Sequence, residues 1–269
     1  MAWRNCVGRE NGDAAAPRHL LYPALVDLVR SAHSSHDAIC GHRWEERILS
    51  SSPWIFTHIP KTAGSTLKRI FERQCRAQRS VIIEGESMPQ KLRALIDLPP
   101  NERAGIRCLW GHVPCGIHHW LSGSARYFTM LRDPVPWAFS WYHYSRRTPH
   151  YTKHFFRQQD LPPAAGRLAE LDMHEFLALM IETNMVNMQT RMLAGELPIP
   201  DLLPPYPPLS ADALARAKHA LTDTYEVFGL VERFDESLLL MARALGWRNV
   251  FYRRLNVTTT VSKRAAASP

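Results

Sequence analysis

The segment from Trp54 to Cys75 constrains the fold of this chain more than any other. Trp54-Ile55-Phe56-Thr57-His58-Ile59 is a short, nearly continuous apolar run, the pattern of a strand buried on both faces. Pro60 ends it, a turn of small residues follows, and Leu67, Ile70, Phe71 and Cys75 then recur at helical spacing. When a buried strand turns directly into an amphipathic helix, the helix covers the sheet and the next strand returns parallel to the first. Patterning predicts further strands at Val81–Glu84, Cys108–Val113, Tyr127–Leu131, Val227–Val231 and Val250–Tyr252. Helices are predicted at Met173–Met192 and at Ala211–Leu221, the second with Ser210 as N-cap. Another is predicted at Glu236–Leu245, between Asp235 as N-cap and Gly246 just past its end. This alternation predicts an α/β fold with a central, mainly parallel sheet flanked by helices.

Residues 1–50 read as an N-terminal extension, partly helical around Leu20–Arg30, and residues 51–269 as a single α/β domain. The proline-rich stretch 198–208 reads as an extended surface loop within it. Apolar residues make up 45% and charged residues 22%, enough for a sizeable core and too apolar for wholesale disorder. No apolar run approaches the ~20 residues of a membrane span. The net charge of +8 favours anionic partners. Five cysteines form an odd set with no CxxC pair, so reduced thiols are expected rather than disulfides. With no apolar leader at the N-terminus, a cytoplasmic protein is the expectation.

His58-Ile59-Pro60-Lys61-Thr62-Ala63-Gly64-Ser65-Thr66 joins the first strand to the first helix. Small residues at Ala63 and Gly64 let backbone N–H groups converge, and the helix N-terminus adds partial positive charge. Ser65 and Thr66 supply hydroxyls, and Lys61 places a cation at the mouth. Together they describe an anion cradle. It is no Walker A loop, because GxxxxGK[ST] is absent and the lysine precedes the glycine. Taken alone, the segment also fits an ordinary strand–helix turn with a capping hydroxyl.

The loop resembles the 5′-phosphosulfate-binding loop of sulfotransferases that use 3′-phosphoadenosine 5′-phosphosulfate (PAPS), most nearly the branch of heparan sulfate 2-O-sulfotransferase and its bacterial relatives. A second motif strengthens the resemblance. Tyr127-Phe128-Thr129-Met130-Leu131-Arg132-Asp133-Pro134, with Ser140 eight residues after Arg132, is similar to the family's 3′-phosphate site. Arg offers a planar donor fork and Ser a hydroxyl, and a loop can fold both onto one phosphate. Pro136 stands where relatives often carry an acidic residue, and a helix's first turn tolerates it. The resemblance runs from about Trp54 to Thr260 and is dense only at its motifs.

The resemblance implies a P-loop-like sandwich and a PAPS-dependent O-sulfotransferase that requires no metal. Lys61, Thr62, Ala63, Gly64, Ser65 and Thr66 would hold the phosphosulfate, and Arg132 with Ser140 the 3′-phosphate. Arg253-Arg254-Leu255-Asn256-Val257-Thr258 resembles a loop that closes over the nucleotide, which assigns Arg254, Asn256 and Thr258 to the cofactor. Lys61 would stabilise the leaving-group oxygen. His112, in a Gly-His pair after a strand, resembles the catalytic histidine of the branch, and an unperturbed pKa near ~6.5 suits a base at neutral pH. His118 and His119 compete for that role, while His58 would shape the loop.

His112, Cys115, His118 and His119 can also be read as metal ligands, but they lack the paired spacing of a structural zinc site. Tyr142–Arg157 interleaves aromatics with Arg146 and Arg147 and reads either as a grip on an anionic glycan or as a solvated helix end. No nucleic-acid-binding pattern accompanies it. Asn187-Met188-Gln189-Thr190-Arg191 resembles a segment of the bacterial branch, with no chemical role that its spacing supports. The acceptor hydroxyl is expected on a carbohydrate; the motifs read only the donor, and oligomeric state is not encoded in them. The alternatives are an ATP-dependent small-molecule kinase, which lacks a Walker A lysine and an acidic Mg²⁺ site here, and a non-catalytic binder of acidic glycans or nucleotides.

Overall fold

Five parallel strands order the molecule. In the computed structural model, which describes residues 52–121, 124–148 and 162–253, β1 (Trp54–Thr57), β2 (Ser80–Ile83), β3 (Cys108–Gly111), β4 (Arg126–Leu131) and β5 (Tyr225–Leu230) form one sheet. Their order is β2-β3-β1-β4-β5, and every pair is parallel. The described helices flanking the sheet are α1 (Gly64–Gln74), α2 (Met88–Asp97), α3 (Pro100–Ala104), α4 (Pro134–Arg147), α5 (Met173–Glu182), α6 (Met188–Leu193), α7 (Ala213–His219) and α8 (Phe234–Leu245). None is long and apolar enough to cross a membrane. The helix expected at Leu20–Arg30, and Arg254, Asn256 and Thr258, lie outside the described residues.

Alternation along the strands divides their side chains between the two faces. Phe56, Trp110, Phe128 and Met130 pack with Leu67, Ile70 and Phe71 of α1 and Leu238, Met241 and Leu245 of α8. Phe56 stacks on Phe128 at 5.0 Å between centroids, and Phe71 meets Phe128 edge-on at 5.1 Å. Ile55, Leu109 and Tyr127, one register position away, are equally buried. Burial on both faces is why these strands read as continuous apolar runs.

Several expectations are corrected. Cys75, at the C-cap of α1, and Cys108, at the start of β3, form a disulfide with Cα atoms 6.3 Å apart. An odd cysteine count carries no information about two residues 33 apart that the βα unit juxtaposes. By chain entropy, closing a loop of that length stabilises by roughly 3–4 kcal/mol. The predicted helix Met173–Met192 breaks between α5 and α6, where Asn184 (φ 52°) and Asn187 (φ 58°) adopt the left-handed conformation that Asn tolerates. No strand forms at Val250–Tyr252; side chains of α1 bond the backbone there and just before it, Arg73 donating to the Phe251 carbonyl at 2.6 Å and Gln74 to that of Arg248 at 2.7 Å.

A further correction concerns the proline-rich stretch, which is not merely a surface loop. Leu202 and Tyr206 are buried, and Arg191 of α6 donates to the Pro207 carbonyl at 2.9 Å while its guanidinium lies over the Tyr206 ring. The N-caps also shift. Asp212 instead of Ser210 holds the N-cap position of α7, without a side-chain cap bond; the Ser210 hydroxyl bonds Asp212 and Glu196, and Asp235 falls in the first turn of α8.

Candidate active site

In an open parallel sheet, ligands bind beyond the carboxyl ends of the strands where the chain reverses direction across the sheet. Here that place is β1, which pairs with β3 on one side and β4 on the other. His58 follows β1, Glu84 follows β2, His112 follows β3 and Arg132 follows β4. Residues far apart in sequence therefore meet at one end of the sheet.

The loop from Pro60 to Ser65 is held from three sides. Thr62 is fully buried, and its hydroxyl donates back to the Ile59 carbonyl at 2.7 Å. Trp137 Nε1 of α4 donates to the Pro60 carbonyl at 2.7 Å, and Arg132 Nη1 to the Lys61 carbonyl at 3.1 Å. Lys61 (φ 67°) and Ala63 (φ 60°) both take left-handed conformations, unusual for side-chain-bearing residues and of order 1 kcal/mol unfavourable each. That alternating backbone is the geometry in which successive N–H groups turn toward one point. Ala63 is the N-cap of α1, and no side chain caps it, so the capping-hydroxyl reading of this turn does not hold. Of the expected contacts, Lys61 and Ser65 line a cavity, whereas Thr62 and Thr66 are buried.

Gly64 is required by close approach. A Cβ there would lie 1.7 Å from His58 Nε2. The ring cannot simply yield: its Nδ1 hydrogen-bonds the Glu84 carboxylate, and it lies between Phe56 (5.5 Å) and His112 (4.6 Å). Gly64→Ala should therefore displace either the loop or His58. We expect at least a tenfold loss of anion affinity in a protein that still folds, read by titration with a phosphorylated nucleotide.

Three cations meet at this loop. The Lys61 ammonium lies 3.9 Å over the Tyr144 ring, and among the described residues no carboxylate pairs with it. Burial, then the charges of Arg147 and Arg132, pulls its pKa from 10.5 down to about 8. Arg132 is half-buried, and its Nε finds no hydrogen-bond partner among the described residues. Glu232 and Asp133 offset part of the Arg132 charge, whereas Lys61 faces only like charges, and an arriving anion relieves that repulsion.

His112 completes the cavity wall. Its Nδ1 lies 2.7 Å from the His58 carbonyl oxygen, which can only accept, so Nδ1 carries the proton and Nε2 the lone pair. Burial, then the neighbouring His58, lowers its pKa to about 4, so the ring is neutral at pH 7. Burial alone would raise the Glu84 carboxyl, but the hydrogen bond from His58 and electrostatic interaction with His58, His112 and Lys68 hold it below its ordinary value. His118 and His119 sit apart on a short 3₁₀ turn, where His118 bonds the Tyr127 hydroxyl at 2.8 Å, and neither lines the cavity.

Among the described residues His112, Cys115, His118 and His119 form no cluster, while His58, Glu84 and His112 bring ligand atoms within 4.8 Å of one another. The hydrogen bonds already made there occupy both Nδ1 atoms. Ser140 lies half-buried in the second turn of α4, with no hydrogen bond to Arg132. Pro136 sits in the first turn of that helix, and Asp133 caps it by accepting from Val135 N at 2.9 Å. Arg146 is exposed and donates to the Tyr142 hydroxyl; Arg147 is exposed beside the Lys61 site.

Sequence reading gave Gln189 no role, and the structure supplies one. Gln189 is buried on α6, accepts from Arg132 N at 2.9 Å and donates to Arg132 O at 2.7 Å. This two-way grip fixes the backbone of the residue that braces the Lys61 carbonyl. Only its place in a motif without an assigned chemistry marked it in the sequence. A scan against protein-family models finds no match for this chain, and a search of curated proteins finds none either.

Proposed function

We propose that this protein is a PAPS-dependent O-sulfotransferase. The observation that carries the proposal is the convergence of Lys61, Arg132 and Arg147 on a loop with left-handed residues, next to a histidine held neutral with a free Nε2. The unpaired Nε of Arg132 and the cation cluster suit a nucleotide with phosphate at one end and phosphosulfate at the other. The two motif resemblances support the same reading.

The donor supplies an activated sulfuryl group. Lys61 and the loop N–H groups hold its charge and steady the bridging oxygen as the sulfur–oxygen bond breaks. Arg132 takes the 3′-phosphate, with Ser140 close behind it in sequence on α4. His112 Nε2 accepts the proton of the acceptor hydroxyl as the new oxygen–sulfur bond forms. These residues need no metal for the scheme. A cytoplasmic site of action is part of the proposal, and burial of both sulfurs shields the Cys75–Cys108 bridge from reducing thiols.

Thermal melting tests the donor without an acceptor. At a hundredfold excess over Kd, 3′-phosphoadenosine 5′-phosphate should stabilise by about 2.7 kcal/mol, roughly 5–10 °C for a domain this size, with or without Mg²⁺. Stabilisation by ATP that depends on Mg²⁺ would instead favour a small-molecule kinase.

A further inference from the structure

The cavity that His112 and Lys61 share has a volume of about 1020 Å³ including its open mouth. Much of its lining is apolar. Part of the wall is built by Leu179 and Met180 of α5, Met185 just after it, and Leu203 of the proline-rich stretch. Among the described residues, Lys61 is the only Lys or Arg that lines it, and the exposed Glu86 is its only carboxylate. Arg146 and Arg147, expected to grip an anionic acceptor, do not line it.

One polar group in this wall is unexplained. Ser145 of α4 is 1% exposed, and its hydroxyl has no hydrogen-bond partner among the described residues. A helical serine ordinarily bonds the carbonyl one turn back or points to water, and this one does neither. A buried hydroxyl left unbonded costs free energy unless something else satisfies it. Ser145 lines the same cavity as His112, the residue that would receive an acceptor's proton.

Resting on the sulfotransferase reading and narrowing it, we infer that the acceptor is a small, uncharged alcohol or phenol with an apolar body. Its hydroxyl sits between His112 and Ser145, and its body lies along the Leu179–Met180–Leu203 wall. An anionic glycan fits poorly. Its carboxylates and sulfates would meet apolar side chains and Glu86, and each buried charge without a partner is strongly unfavourable. Transfer onto such an acceptor forms a sulfate ester, breaks the donor's sulfur–oxygen bond, and leaves the acceptor's proton on His112 and the nucleotide as 3′-phosphoadenosine 5′-phosphate.

The test is calorimetric titration of the full chain with 2-naphthol and, separately, with a uronic-acid-containing disaccharide. Saturable one-to-one binding of 2-naphthol, with none of the disaccharide, is the expected result. Ser145→Ala should weaken it roughly three- to tenfold, the usual worth of one hydrogen bond. Leu203→Glu, on a half-buried loop position that need not disturb the core, should weaken it at least tenfold by putting a charge in the apolar wall. Binding of the disaccharide in preference to 2-naphthol, binding of neither, or indifference to both substitutions would overturn the inference. A parallel titration with 3′-phosphoadenosine 5′-phosphate separates the two claims. If the nucleotide binds and 2-naphthol does not, the acceptor class is wrong. If 2-naphthol binds and the nucleotide does not, the donor is wrong.

Discussion

His112→Asn should lower kcat by about 10²–10⁴-fold, the usual contribution of a positioned general base. Asn retains an N–H that can reach the His58 carbonyl, so the local hydrogen bond survives while the proton acceptor is lost. The pH profile makes the prediction specific. In the free protein His112 has a pKa of about 4 and Lys61 of about 8. On the acid side, kcat/KM should therefore fall only as pH drops through about 4, and on the alkaline side as it rises through about 8. A bound polyanionic donor favours the charged form of both groups and raises both pKa values, so both limbs of kcat should lie at higher pH than those of kcat/KM. The acid limb should vanish in His112→Asn.

Stability gives an independent reading of the same residue. The folded-state pKa lies below the ordinary 6.5, so between those values the unfolded chain binds more protons. The stability that depends on a neutral His112 is thus present above 6.5 and lost as pH falls through about 4. His112→Asn should melt with less sensitivity to acid over that window, and an unchanged profile would mean that the ring is not held neutral.

Lys61→Ala should act in opposite directions on binding and on stability. Removing the ammonium takes away the charge nearest the proposed leaving group, and kcat/KM should fall by about 10²–10³-fold. In the free protein it removes a half-buried cation that Arg132 and Arg147 repel, at the loss of a cation–π contact with Tyr144 worth roughly 0.5–2 kcal/mol. The variant should therefore melt no lower than the native chain. Because the folded pKa is depressed, native stability should rise with pH from about 8 to 10.5, where the unfolded chain holds the extra proton, and the variant should lose that rise. A residue that only supported the fold would lower melting temperature and activity together.

Much of this site was readable from the chain because its parts sit at the ends of strands. Trp54–Ile59, Cys108–Val113 and Tyr127–Leu131 are dense apolar runs, and the His58 and His112 near the ends of the first two and the Arg132 just past the third stand out against them. That placed His58, His112 and Arg132 at the same end of a parallel sheet. The sequence did not reveal what depends on approach between distant elements. The Cys75–Cys108 bridge joins a helix end to a strand start, the Gln189 grip on Arg132 spans 57 positions, and Arg191 pins the proline-rich stretch. Periodicity reports which face a residue occupies and is silent about which polar group it will meet there. The break between α5 and α6 was hidden for a different reason, since apolar spacing continues across Asn184 and Asn187 while the backbone turns left-handed at both.

The most direct measurement is calorimetric titration with 3′-phosphoadenosine 5′-phosphate, ATP and AMP, performed on the native chain and on Arg132→Ala. The sulfotransferase reading predicts that the native chain prefers the 3′-phosphorylated nucleotide over both controls, and that Arg132→Ala reduces its affinity to the level of AMP. Equal affinities for the three nucleotides, a preference for ATP, or undiminished binding by Arg132→Ala would contradict it.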